Sequence, residues 1–381
     1  MGAAAPRTPA AQQVAVGLSG GVDSAVAALR LRDLGYDVRG IFMKNWEEDD
    51  EGTFCSAAED LADAQSVCVR LGIELRAVNF ATEYWDRVFQ TFLSAHRRGL
   101  TPNPDVLCNR EIKFREFHLF AMDLGAQSVA TGHYARVEHR SDGSVLCKAR
   151  DPSKDQTYFL YAIDQEALAR TIFPLGDLLK TEVRDIAEAA GLAVAAKRDS
   201  TGICFVGERP FREFLARFVR REAGPIYDAN GNRIGTHEGA MFYTIGQRQG
   251  LGIGGHSQGS GAPWYVCAKN LEDNSLTAVQ GNKHPALYRS RLVASDLHWI
   301  QGHPPALPLM CKAKIRYRQV EQPCRVLRLD AASVEVVFDD PQWAVTPGQS
   351  VVFYDGDVCL GGGTIEADHD KPNGGPESNE P

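Results

Sequence analysis

The sequence predicts an α/β protein in three parts: a doubly wound parallel sheet first, a small loop-rich middle domain next, and a β-barrel last. The first 135 residues alternate short β-branched runs with helical stretches, as βαβ units do. From about residue 212, Gly231, Gly235, Gly239, Gly246, Gly250, Gly252, Gly254 and Gly255 interrupt segments too short for long helices. After about residue 286, alternating runs such as Ser333 to Phe338 and Ser350 to Tyr354 are divided by Pro347-Gly348 and Asp355-Gly356 turns, the spacing of a small barrel.

The parts follow as 1–12, a flexible N-terminus; 13–211, the sheet domain; 212–285, the middle domain; 286–367, the barrel; and 368–381, a polar, disordered tail rich in Gly and Pro. At 381 residues the chain holds more than one domain of about 150 residues, which excludes a single small binding module. Hydrophobic residues at 44% and the lack of a run of 18 apolar residues exclude a membrane span. A net charge of -8 means that any nucleic-acid contact comes from a local basic face and not from the overall field. Met1 to Gln13 has no apolar core of a secretory signal, so cytoplasmic, reduced thiols are expected. The nine cysteines include no pair three apart, so neither a CxxC zinc knuckle nor a CxxC redox hairpin forms and no metal ligand set is legible.

Gln13 to Leu18 reads as the first strand and Val22 to Leu34 as a helix with Val22, Ala25, Val26 and Leu29 on one face. Val38 to Met43, Ile73 to Phe80 and Ser128 to Thr131 are the next strands. Ligands of such sheets bind at the carboxyl ends of the strands. There lies Ser19-Gly20-Gly21-Val22-Asp23-Ser24, two glycines ahead of a helix N-terminus that offers free amides and a positive dipole end to an anion. Ser19 and Ser24 add hydroxyl donors. No Lys follows the last Gly, so γ-phosphate transfer of the Walker A type is disfavoured. The plainer alternative is a strand-turn-helix with an Asp near its cap. Met43, ending the second strand beside the same crevice, is placed to pack on an adenine ring or simply in the core.

Two cysteines stand in structured loops. Thr101 to Asn109 holds two prolines that stiffen it ahead of a helix from Glu111 to Leu124, fixing Asp105 and Cys108. Asp199 to Gly207 surrounds Cys204 with glycines that permit close approach of a substrate. Either thiol alone reads as inert; two beside a nucleotide loop read as chemistry. Asp105 is either a general base or a cap of the following helix. In the third part Lys312, Lys314, Arg316 and Arg318 alternate with apolar residues, so a strand would carry all four cations on one face, suited to phosphates or merely solvated.

Nine stretches in order resemble the tRNA-specific 2-thiouridylases, the tRNA-uridine 2-sulfurtransferases of bacteria and organelles, within the N-type ATP pyrophosphatases. They are SGGVDS at Ser19, GIFMKNWEEDD at Gly40, TPNPDVLCNREIKF at Thr101, ATGHYAR at Ala130, KDQTYFLY at Lys154, DSTGICFVGER at Asp199, TIGQRQGLGIGG at Thr244, IRYRQ at Ile315 and TPGQSVVFYDG at Thr346. The resemblance implies an ATP pyrophosphatase domain that uses ATP to replace the C2 oxygen of the wobble uridine of tRNA by sulfur; Mg²⁺ is expected only because ATP needs it. Gly17, Leu18, Ser19, Gly20, Gly21, Val22, Asp23 and Ser24, with Met43 and Gly132, would hold ATP. Asn103, Pro104 and Asp105 would meet the base, Cys108 would be the nucleophile, and Cys204 would carry a persulfide. His133, Lys154, Asp155, Gln156, Arg316, Tyr317 and Gln349 would contact tRNA. The partners implied are tRNA and a sulfur-carrier protein, with no membrane and no DNA. An amidating synthetase would leave the paired cysteines without a task, and an RNA-binding protein with a vestigial nucleotide fold would have lost Ser19, Asp23, Cys108 or Cys204, all of which are present.

Overall fold

The computed structural model describes residues 12–47, 56–199, 211–253 and 261–367; Cys204, residues 1–11 and the tail from 368 lie outside the described residues. The first part contains strands β1 (Gln13–Leu18), β2 (Asp37–Lys44), β3 (Glu74–Asn79) and β4 (Ser128–Ala130), a hairpin of β5 (Ala135–Arg140) and β6 (Gly143–Lys148), and β7 (Thr171–Ile172). Five of these form a sheet in the order β3-β2-β1-β4-β7, every neighbouring pair parallel. The chain winds one way from β1 and the other way from β4, so the crevice at the carboxyl ends of these two strands is the topological switch point.

Period-two alternation in β1 serves two layers. Val14, Val16 and Leu18 join the core under the helix Val22–Asp33, while Ala15 joins the core on the opposite face with Phe117 and Ala121. The helix Val22–Asp33 is buried well beyond one face, at Val22 and from Ser24 through Leu29 and at Leu31, because the helix Lys180–Ala189 covers its outer side. Ala25, Ala27 and Ala28 make that close approach possible.

Two expectations are corrected by the backbone. Helical structure begins at Pro104, not Glu111, and runs through Pro104–Cys108, Asn109–Glu116 and Phe117–Asp123, so Cys108 sits in a helix and not in a loop. Proline is favoured at the first helical position, and Asn103 caps the end by accepting from the Asp105 N–H at 3.1 Å. The cap is therefore Asn103, which leaves the Asp105 carboxyl for another use.

The middle part holds β8 (Gly224–Tyr227), β9 (Arg233–His237), β10 (Trp264–Asn270) and β11 (Ser275–Gln280) in the order β10-β11-β8-β9. It is fastened to the first part by rings: Trp46 lies 4.9 Å from Phe89, and Phe89 lies 4.8 Å from Phe218. The last part is a closed antiparallel barrel of β12 (Tyr288–Trp299), β13 (Leu309–Lys314), β14 (Gln322–Arg328), β15 (Val334–Trp343), β16 (Ser350–Asp355) and β17 (Val358–Ile365). Its order is β12-β15-β14-β13-β16-β17, with β12 pairing β17 to close it. The hairpin β5–β6 from the first part extends this wall through Val358↔Cys147 and Cys359↔Leu146. Strands from two sequence regions thus share one sheet.

The second correction concerns the basic strand. β13 ends at Lys314, and the Ile315 N–H turns back to Gln319 Oε1 at 3.0 Å. Arg316 and Arg318 therefore lie in a turn, Lys314 is paired with Glu321 at 3.6 Å and Asp155 at 3.8 Å, and no four-cation face forms.

The turn Thr346 to Gln349 seats the barrel on the segment leading to Cys108. Thr101 N–H donates to the Pro347 carbonyl at 2.8 Å and Gln349 Nε2 to the Thr101 carbonyl at 2.6 Å. Gly348 has a φ of +88°, and a Cβ there would stand 2.7 Å from Thr101 N. Gly356, at φ +56°, has open space around it. Gly356→Ala is expected to cost only the left-handed penalty of about 1 kcal/mol, and Gly348→Ala more than that because the docking must also open. Melting temperatures of the two variants check this; equal losses would mean that the docking contributes nothing.

Candidate active site

The loop after β1 is shaped by close approaches. Gly20 has a φ of +72°, and a Cβ on it would strike the Asp60 carbonyl at 2.4 Å. Ser24 Oγ accepts from the Ser19 N–H at 3.1 Å, lies 3.2 Å from Ser19 Oγ and donates to the Gly21 carbonyl at 3.1 Å. Gly21, at the N-cap of Val22–Asp33, supplies no side-chain acceptor, so no side chain caps that helix start. Leu18 and Val22 turn their side chains into the core, and only their backbone faces the crevice. Gly17 is overlaid by Met43, whose Cε would be 3.2 Å from a Cβ there. Gly132, just beyond β4, abuts the same loop: its Cβ would meet Ser24 N at 2.7 Å. The residues expected to hold a nucleotide are thus brought together at the switch point.

Asp23 does not face solvent alone. Its carboxylate accepts from Lys180 Nζ at 2.7 and 2.8 Å and from the Tyr134 hydroxyl at 2.8 Å. Lys180, 12% exposed, also pairs with Asp199 at 2.8 Å, and Asp199 takes Lys154 at 2.7 Å and Arg184 at 2.8 Å. Burial works to raise the Asp199 carboxyl, but hydrogen bonds and charges of Lys154 and Lys180 hold it at about 2. Asp199, the last described residue before Cys204, is thus joined to Asp23 through one ammonium. Lys180 and Arg184 escaped the sequence reading: they are four apart on an amphipathic helix with no motif of their own. Tyr134 and Asp199 lay inside quoted stretches without an assigned task.

Cys108 is buried, 2% exposed. Burial pushes the Asp105 carboxyl up, opposed by the charge of Lys113. Lys113 Nζ lies 3.4 Å from His133 Nε2, and His133 Nδ1 lies 2.7 Å from Thr131 Oγ1. Through Gly132 and His133 the Cys108 helix is tied to the nucleotide loop, as Asp199 is through Lys180. His133 is only 8% exposed, and burial followed by the Lys113 charge pulls it well below the ordinary imidazole value, so it is neutral.

The residues expected to touch tRNA are divided. Lys154, Tyr317 and Gln349 are half-buried, Lys154 on Asp199, Tyr317 against Phe159 and Gln349 on the Thr101 carbonyl. Asp155, 5% exposed, accepts from the Ala149 N–H at 3.1 Å and the Thr157 hydroxyl at 2.8 Å, and Gln156 accepts from the Tyr134 N–H at 2.9 Å. Arg316 donates at 3.0 Å to the Ile245 and Ala344 carbonyls and to Thr346 Oγ1, joining the barrel to the middle part. These three are committed inside the protein.

The family model described as tRNA methyl transferase HUP domain matches residues 12–208, its PRC-barrel domain matches 212–280, and an aminomethyltransferase beta-barrel domain matches 289–365. The tRNA-specific 2-thiouridylase MnmA of Francisella philomiragia is 56% identical over 93% of this chain and 99% of its own length. That of Methylococcus capsulatus is 58% identical over 93% and 96%, and that of Yersinia pestis 55% identical over 93% and 96%. The chain belongs to the tRNA-specific 2-thiouridylase family.

In this 2-thiouridylase family member the pairing around Asp199 has a pH signature. Because folding depresses the Asp199 pKa, its contribution is complete above the ordinary carboxylate value of about 3.9 and is lost as pH falls toward 2. Lys180→Met should therefore lower the melting temperature most above about pH 4, with the gap to wild type narrowing toward about pH 2. A gap constant across that range would show that the ion pairs do not couple to folding.

Proposed function

We propose that the chain replaces the C2 oxygen of the wobble uridine of tRNA by sulfur, driven by ATP. The observation that carries this reading is that the nucleotide loop holds Asp199, the last described residue before Cys204, through Lys180 and Asp23, and the Cys108 helix through Lys113, His133 and Gly132.

The residues present fit a nucleotide: an N-cap glycine without side chain, two serine hydroxyls and the first-turn amides of a twelve-residue helix face the switch-point crevice. ATP, with Mg²⁺ as counter-ion of its phosphates, supplies adenylation, which turns a poor leaving oxygen into one that departs with AMP. Asn103, Pro104 and Asp105 hold the base, and Asp105 takes a proton at its carboxylate. The outer sulfur of a Cys204 persulfide attacks C2 and the C2–O bond breaks. The Cys108 thiolate then attacks the Cys204 sulfur; the S–S electron pair passes to the sulfur on C2, and a Cys108–Cys204 disulfide remains for an external dithiol to reduce. Lys154, Tyr317 and Gln349 meet the tRNA, while Asp155, Gln156 and Arg316 hold the segments that present them. A sulfur-carrier protein loads Cys204, in a cytoplasm where thiols stay reduced.

Ser19→Ala and Asp23→Ala are expected to abolish tRNA-dependent AMP formation and to leave tRNA binding largely intact; retained AMP formation in both would sink the loop's role. The two thiols should separate kinetically. Cys204→Ser should fail to accept labelled persulfide sulfur, whereas Cys108→Ser should accept it and yield no 2-thiouridine by nucleoside mass spectrometry. Equal labelling of both variants would contradict the division.

A further inference from the structure

Lys113 is set apart from the other cations of the site. Lys154, Lys180 and Arg184 each hold Asp199, and Lys197 holds Asp60, but among the described residues Lys113 has no carboxylate within ion-pair distance. Its one hydrogen-bond partner among the described residues is the neutral ring of His133, at 3.4 Å. With Nδ1–H directed at Thr131 Oγ1, the Nε2 lone pair receives one N–H of the ammonium and leaves two donors unused. A half-buried ammonium with no carboxylate in direct contact is costly unless something else meets it.

Its placement says what that is. The helix widens to π-type turns over Asn109–Glu116, bonded five residues back, as the Phe117 N–H to the Ile112 carbonyl shows. One such turn separates Cys108 from Lys113, which brings the ammonium onto the side of the helix that carries the thiol. Asp105 stands at the start of the same helix and feels the charge of Lys113.

Uracil presents an N3–H donor beside a C2 carbonyl acceptor, and a carboxylate beside an ammonium is the complement of that edge. We propose that Lys113 is a catalytic residue that grips the C2 oxygen of the target uridine while Asp105 accepts from N3–H. The inference rests on the function proposed above and names the groups that read the base. In the step it serves, the N3–H bond breaks and its proton passes to Asp105. The freed pair forms the N3–C2 double bond, the carbonyl π pair moves to oxygen, and the Lys113 ammonium stabilises the negative charge that develops there. Cytosine carries no proton on N3, so its lone pair would confront Asp105, and the site would reject it.

The test is equilibrium binding without ATP, using anticodon stem-loop RNAs that carry uridine or 2-thiouridine at the target position. Sulfur accepts a hydrogen bond from an ammonium poorly, so wild type should prefer the uridine RNA by roughly tenfold. Lys113→Met and Lys113→Gln should lose that preference while keeping wild-type melting temperatures, and Lys113→Arg should retain part of it. Wild type without the preference, or Lys113→Met and Lys113→Gln with it, would overturn the assignment. Failure of the wild-type protein to form 2-thiouridine from ATP and a persulfide donor would instead overturn the function on which it rests, so the two failures are told apart.

Discussion

The ammonium of Lys180, shared between Asp23 and Asp199, is the contact on which the site depends. Asp23 belongs to the nucleotide loop, Asp199 opens the second cysteine segment, and Lys180 starts the helix that covers the outer side of Val22–Asp33. Three elements from distant parts of the chain therefore meet at one charge. With Lys180 only 12% exposed, its ammonium cannot be left without these carboxylates cheaply, so each segment holds the others in register. The Asp151 carboxylate fixes this start by accepting from the Lys180 N–H at 3.0 Å.

The segment from Asp151 to Tyr161 carries that order outward to the barrel. Lys154 reaches Asp199, Gln156 holds the backbone of Tyr134, and the Tyr134 hydroxyl returns to Asp23. On the other side Thr157 lies 3.2 Å from the Tyr354 hydroxyl, and Tyr158 donates to the Ser350 carbonyl at 2.9 Å. A single short stretch thus couples the nucleotide loop to β16. The Gln349 contact with Thr101 completes a second route, from the barrel to the Cys108 helix. A rigid frame of this kind suits a reaction in which two sulfurs and a base carbon must align.

Much of this was legible in the sequence, and the reasons differ by feature. The strands and the nucleotide loop were readable because alternation and the Gly-Gly turn are local signals; β1 runs over the expected residues. Two prolines look like breakers and make the Cys108 segment read as a loop, although one of them stands where a helix begins. The cationic strand failed because alternation says nothing of where a strand stops or of which acidic residues arrive from elsewhere; Asp155 and Glu321 neutralise Lys314. Lys180 and Lys113 carry no local signal for their tasks. Their meaning arises only when Asp23, Asp199 and His133 come to them through the fold.

The frame also answers how a chain of net charge -8 can receive a polyanion. Carboxylates at the crevice would repel phosphates if they stood alone, and repulsion of that kind slows association. Here Asp23, Asp151 and Asp199 are met by Lys154, Lys180 and Arg184, so the cluster is balanced at three charges of each sign in place of three bare negative charges. Lys113, with no carboxylate in direct contact among the described residues, adds a positive charge on the helix that carries Asp105 and Cys108. The acidity that sets the overall charge is thereby cancelled where an anion must enter, and the same pairs that give the site its rigidity remove the repulsion that a nucleotide and a tRNA would otherwise meet.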